Sequence, residues 1–98
     1  MYLEKEILKW AEDKGIFKSS SPERQFMKTE EEVAELWDGI VNDDREEIKD
    51  AIGDVIVTLV IQAKMWDLDI NECVEQAYSV ISKRKGKMVN GLFVKENG

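Results

Sequence analysis

Apolar residues return every three or four positions through most of this chain, and that rhythm predicts four helices. Residues 2–14 set Leu3, Ile7 and Trp10 or Ala11 on one face, and Gly15 supplies a stop. A polar hinge, Ser19–Ser21, leads into a long helix over about 22–41. It is capped either by Ser20-x-x-Glu23 or by Ser21 with Pro22 in the first helical position. Its apolar face carries Phe26, Val33, Trp37 and Ile40. Asn42-Asp43-Asp44 ends that helix, and Asp44-x-x-Glu47 opens the next, over about 44–66.

The run Val55–Ile61 within this third helix is rich in β-branched residues and, taken alone, also fits a buried strand. The stripe Ile48, Ile52, Val55, Leu59, Trp66 continues through it with no turn signal on either side, which favours helix. Val57, Val60 and Ile61 then add apolar groups on further faces. A helix apolar nearly all round requires cover from two sides, so this segment is expected at a subunit interface. The fourth helix, about 70–85, turns Ile70, Cys73, Ala77, Val80 and Ile81 inward and stops at Gly86. In the tail, 87–98, Asn90-Gly91 between short apolar runs reads as a type I′ hairpin. The expected architecture is all-α, one domain over 1–98: a four-helix bundle completed by oligomerisation to a dimer or tetramer, with a short C-terminal hairpin.

Charge narrows the function. Fourteen basic and 21 acidic residues give a net charge of −7, which argues against nucleic acid and membrane surfaces as partners. A small nucleotide stays open, because a divalent cation and a few lysines can reverse the local field. The single Cys73 excludes an internal disulfide and fits a reducing compartment. With no histidine there is no Cys–His nucleophile and no histidine-ligated zinc. The first helix mixes acids with bases and no apolar run approaches a membrane span, so a cytoplasmic protein is expected.

The chemistry concentrates at 25–54. Glu32 and Glu35, three apart, stack on one face of the second helix with Gln25, Lys28 and, at the edge, Glu31. Asp50 and Asp54 share a face of the third helix, and antiparallel packing brings the two sets together. Carboxylates without imidazole suit a hard cation such as Mg²⁺, with Mn²⁺ as a substitute. A merely solvated acidic face is the plain alternative. The order of the residues favours the first reading. Gln25-x-x-Lys28-x-x-Glu31-Glu32-x-x-Glu35-Leu36, followed by Ile52-Gly53-Asp54-Val55, resembles the all-α nucleoside triphosphate pyrophosphohydrolases, specifically the short stand-alone MazG-like proteins. Such proteins carry EExxE on one helix and ExxD on the next and hold Mg²⁺ with the acids. The resemblance maps EExxE onto Glu31, Glu32 and Glu35 and the last acid onto Asp54. The first acid of ExxD falls on Ala51, with Asp50 as an adjacent substitute. The implied activity is Mg²⁺-dependent cleavage of a nucleoside triphosphate to the monophosphate and pyrophosphate. Glu32, Glu35, Asp54 and Asp50 would hold metal, and Glu31 or Glu32 would take a proton from water. A relative that binds nucleotide but turns it over weakly, and a helical oligomerisation module, are the rival functions.

The remaining candidates have two readings each. Lys83, Arg84 and Lys87 either complement a helix C-terminus or, as the resemblance implies, hold phosphates together with Lys28. Trp37 and Trp66 belong to apolar stripes and are expected in the core, whereas Trp10 is a candidate for stacking a base and Gln25 a second candidate for contacting it. Thr58, one turn after Asp54, either approaches the nucleotide or bonds a backbone carbonyl.

Overall fold

The computed structural model describes residues 1–96 and comprises five helices and a hairpin: α1 (Glu4–Asp13), α2 (Ile16–Ser19), α3 (Pro22–Val41), α4 (Arg45–Met65), α5 (Ile70–Ile81), β1 (Gly86–Val89) and β2 (Leu92–Lys95). Local chemistry sets the ends of the long pair. Ser21 caps α3 by accepting from the Arg24 N–H, with Pro22 next to it, and Asp44 caps α4 by accepting from the Glu47 N–H. The β-branched run 55–61 is helical throughout. Two features depart from the expected elements. Gly15, with a φ of 77°, ends α1 and opens the single turn α2. The last long helix stops at Ile81, and β1 begins at Gly86, so Lys83 and Arg84 lie on a connector and Lys87 on a strand. The hairpin turns at Asn90 and Gly91, both with positive φ, as a type I′ turn requires.

α3 and α4 form the main helix pair, and α1 packs along α4. Val60 and Ile61 are buried and Val57 half-buried in this arrangement, so α4's expected interface side is covered within the chain. What stays exposed is α3's apolar face. Phe26, Val33, Trp37 and Ile40 are 57%, 48%, 63% and 52% accessible, and Ile52 and Leu59 of α4 are exposed as well. Trp37 and Trp66, expected in the core, are surface residues. Cys73, Ala77, Val80 and Ile81 of α5 face solvent as well, because α5 makes only a small contact with α4. α3 therefore turns its polar side toward α4. Gln25, Thr29, Glu32 and Gly39 are buried there, opposite Ala51 and Thr58.

The exposed area is large for the chain length. The radius of gyration is 16.0 Å, against roughly 13 Å for a folded domain of this size. The accessible surface is 8062 Å², roughly 2,000 Å² above that of a typical monomer of this mass.

Candidate active site

The polar α3–α4 seam is held by a buried hydrogen-bond chain. The Gln25 side-chain amide donates to the Thr58 carbonyl (3.2 Å), and the Thr29 hydroxyl lies 3.0 Å from that of Thr58. Thr58 in turn donates to the Val55 carbonyl at 2.6 Å, which places it with the backbone-bonding reading. Gln25 is buried and committed to Thr58, so its amide is not free to meet a base. The Gln62 amide adds a bond to the Pro22 carbonyl at 3.1 Å. These bonds fix the stagger of the two helices, and that stagger sets the acids.

One turn further along α3, Glu32 and Glu35 meet Asp54 of α4, each offering an oxygen within 4.8 Å of the others. Glu32 is 7% exposed. Its Oε1 pairs with the Lys28 ammonium at 3.3 Å, while its Oε2 is buried with no hydrogen-bond partner. A buried carboxylate oxygen without a donor costs free energy. A cation would remove that cost, and an oxygen-only donor set suits a hard divalent ion. The charges register this crowding. The adjacent Glu32 carboxylate pushes Glu35 above its ordinary range, with smaller effects from Glu47 and Glu31. Asp54 is raised first by burial, then by the charges of Asp50 and Glu32. Lys28 is raised, chiefly by its bond to Glu32.

The other candidates divide around this trio. Glu31 is exposed and lies 3.4 Å from Lys28, outside the trio. Asp50 is exposed and points to the α1 side of α4, where it lines a cavity instead of joining Glu32 and Glu35. That cavity, about 580 Å³, runs between the start of α1 and α4 and includes Tyr2, Leu3, Ile7, Gly53, Asp54 and Val57. A neighbouring pocket adds Trp10, which is half exposed, and again includes Asp54. Asp54 thus belongs both to the trio and to an apolar cleft. Lys83, Arg84 and Lys87 form no ion pair among the described residues. The periodicity of α1 marks Leu3 and Ile7 only as an apolar face, so their place in the cleft is not legible in the sequence. Glu47 reads locally as a first-turn residue; its position four before Ala51, on the same helical face, is the signal that links it to the acids.

The all-α seam gathers three carboxylates that could hold a divalent cation, beside a largely apolar cleft. Residues 20–89 match the MazG nucleotide pyrophosphohydrolase domain, and the chain belongs to that family. It is 43% identical over 65 residues to an uncharacterized 18.2 kDa protein from the rep-hol intergenic region of Haemophilus phage HP1. The match takes in 66% of this chain and 40% of the phage protein, so the chain spans about two fifths of that relative's length. No solved structure matches the chain. Among the described residues no helix is long and apolar enough to cross a membrane.

Proposed function

We propose that this chain hydrolyses a nucleoside triphosphate to the monophosphate and pyrophosphate, with Mg²⁺ (or Mn²⁺) held by Glu32, Glu35 and Asp54. The observation that carries the proposal is the unpartnered, buried Oε2 of Glu32 between two further carboxylates. A divalent cation bound there supplies charge to the phosphate oxygens and lowers the pKa of the attacking water. Lys28 holds Glu32 in place and offsets phosphate charge at the same end of the trio. Glu31, exposed and paired with the same lysine, accepts the proton that water loses. The nucleoside enters the cleft on the far side of Asp54, against Leu3, Ile7 and Val57, with Trp10 at its edge to stack the base. Asp50 lies on this nucleoside side and serves as a rim residue. Lys83, Arg84 and Lys87 touch phosphate only if assembly brings them to the acids.

A homo-oligomer completes the picture. The excess surface, roughly 2,000 Å² per chain, matches what an obligate dimer buries. The exposed face of α3, with Ile52 and Leu59 of α4, is the surface a second copy would cover. One observation favours a weaker enzyme. Residue 51, buried in the α3–α4 seam, carries only a methyl group where the family has an acid. In that reading nucleotide and cation bind, and turnover is slow.

Two measurements test the site. Mn²⁺ at about a hundred times its Kd should stabilise the protein by about 2.7 kcal/mol in chemical denaturation, and Glu35→Gln should lose that gain. An unchanged gain removes Glu35 from the site. At Gly53 an added Cβ meets nothing within 4 Å, and the residue lines the cleft. Gly53→Leu should therefore stabilise α4, by up to about 1 kcal/mol from helix propensity. By filling the cleft it should also raise KM about tenfold, a loss of about 1.4 kcal/mol in binding. An unchanged KM would place the nucleoside elsewhere.

A further inference from the structure

Ala51 leaves the α4 face of the site one acid short, yet a second carboxylate lies on that face. Residues 47, 51, 54 and 58 follow one another at helical spacing along the side of α4 that meets α3. Ala51 and Thr58 are buried there, and Asp54 belongs to the trio. Glu47, half-buried, is the remaining member.

Its local surroundings leave its carboxylate free. The sequence Asp44-x-x-Glu47 is that of a capping box, in which the glutamate would accept from the N–H of Asp44. Only half of that box forms. The Glu47 N–H donates to Asp44 Oδ1 at 3.2 Å, but the Asp44 N–H donates to the Gly39 carbonyl at 2.9 Å. Glu47 makes no ion pair and accepts no side-chain hydrogen bond among the described residues. Its stem lies on α3 at Gly39, where an added Cβ would come within 3.1 Å of Glu47 Cγ. Gly39 stands one helical turn beyond Glu35, on the same side of α3. At the opposite end of the cluster Lys28 serves Glu31 and Glu32. Among the described residues no cation pairs with Glu35 or Glu47, and Glu32 Oε2 is buried without a hydrogen-bond partner. Asp50, the sequence neighbour of Ala51, lines the α1 cleft and is outside the group of converging oxygens.

We propose that Glu47 is an additional cation ligand of this chain, engaging the Glu35 end of the site from one turn before Ala51, where the family's own acid is missing. This rests on the reading of Glu32, Glu35 and Asp54 as a divalent-cation site. In this arrangement α4 contributes acids at residues 47 and 54, two turns apart, with Glu47 acting at the Glu35 end and Asp54 within the trio. The small Ala51 side chain lies between them.

The test is Mn²⁺ binding to the purified full chain without nucleotide, measured by calorimetry and by loss of the free-Mn²⁺ electron paramagnetic resonance signal. Glu47→Gln should weaken Mn²⁺ binding about tenfold, the lower end of the effect of altering a metal's supporting shell. Glu47→Asp keeps the charge and shortens the arm; it should lose most of the same affinity. Glu30→Gln, on the exposed side of α3, should stay within about twofold of the parent, the change expected from a screened surface charge. Circular dichroism of each variant confirms that the helices are intact. Parental affinity in Glu47→Gln overturns the inference. So does parental affinity in Glu47→Asp alongside weak binding in Glu47→Gln, because Glu47 would then act only through its field. If Glu35→Gln loses Mn²⁺ while Glu47→Gln keeps it, this inference fails and the trio stands. If the parent protein itself binds no Mn²⁺, both fail.

Discussion

Replacing Glu32 by Gln should abolish metal-dependent pyrophosphate release, by roughly a hundredfold or more, while the helices remain intact. A conserved-shape amide keeps the volume of a side chain that is 7% exposed, so no cavity opens. What changes is the donor set. An amide oxygen carries no charge and its NH₂ would face Glu35 and Asp54, whose oxygens lie within 4.8 Å in the parent. Those two acids would then be satisfied by the amide instead of by a cation. Even loss of an outer-shell partner costs about 10–100-fold in metal affinity or activity, and Glu32 is placed to be a direct ligand. Stability without metal should move little. Loss of the Lys28 pairing removes about 0.3–0.5 kcal/mol, and relief of the Glu32–Glu35 repulsion returns a similar amount. The check is activity together with denaturation, each with EDTA and with Mg²⁺. Undiminished turnover would show that the buried carboxylate is only structural.

In the proposed homo-oligomer, Trp37→Glu should leave only monomers and lower the melting temperature. Trp37 is 63% accessible on a stripe with Phe26, Val33 and Ile40, and such a large aromatic at the centre of an interface commonly contributes at least about 2 kcal/mol to association. A glutamate there would bring an unpaired charge into each copy of the contact. Light scattering at micromolar concentration should give a mass well above 11.3 kDa for the parent and close to that chain mass for the variant. A parent already monomeric would remove the assembly from the account. An unchanged oligomer in the variant would move the interface away from α3.

The contrast between these two residues also marks what the sequence carries. The ends of α3 and α4 were legible because their causes are local: Ser21 with Pro22, and Asp44, cap the first turns. The acidic trio was legible for the same kind of reason, since i, i+3 spacing puts Glu32 and Glu35 on one face whatever lies opposite. Which face turns inward was not. Amphipathicity states that Phe26, Val33 and Trp37 need cover but not whether the same chain supplies it, and here α4 meets the polar side. The side of α4 assigned to a partner, Val57, Val60 and Ile61, is covered within the chain instead. The end of α5 was missed because helix-forming residues continue to Lys85. Strand pairing at Gly86 decides it, where a Cβ would come within 2.3 Å of the Val94 carbonyl oxygen. That non-local constraint moves Lys83 and Arg84 off a helix end. Ala51 shows a further limit. A motif match identifies a missing acid and helical spacing puts Glu47 on the same face, while its packing against Gly39 is visible only once the helices are packed.

Metal-dependent cleavage between the α- and β-phosphates can be followed by phosphorus NMR of the purified protein with a panel of canonical and modified nucleoside triphosphates. With Mg²⁺ or Mn²⁺, at least one triphosphate should yield monophosphate and pyrophosphate in equal amounts, and EDTA should stop the reaction. Release of diphosphate and orthophosphate, cleavage that persists in EDTA, or a panel left intact in the presence of either metal would contradict it.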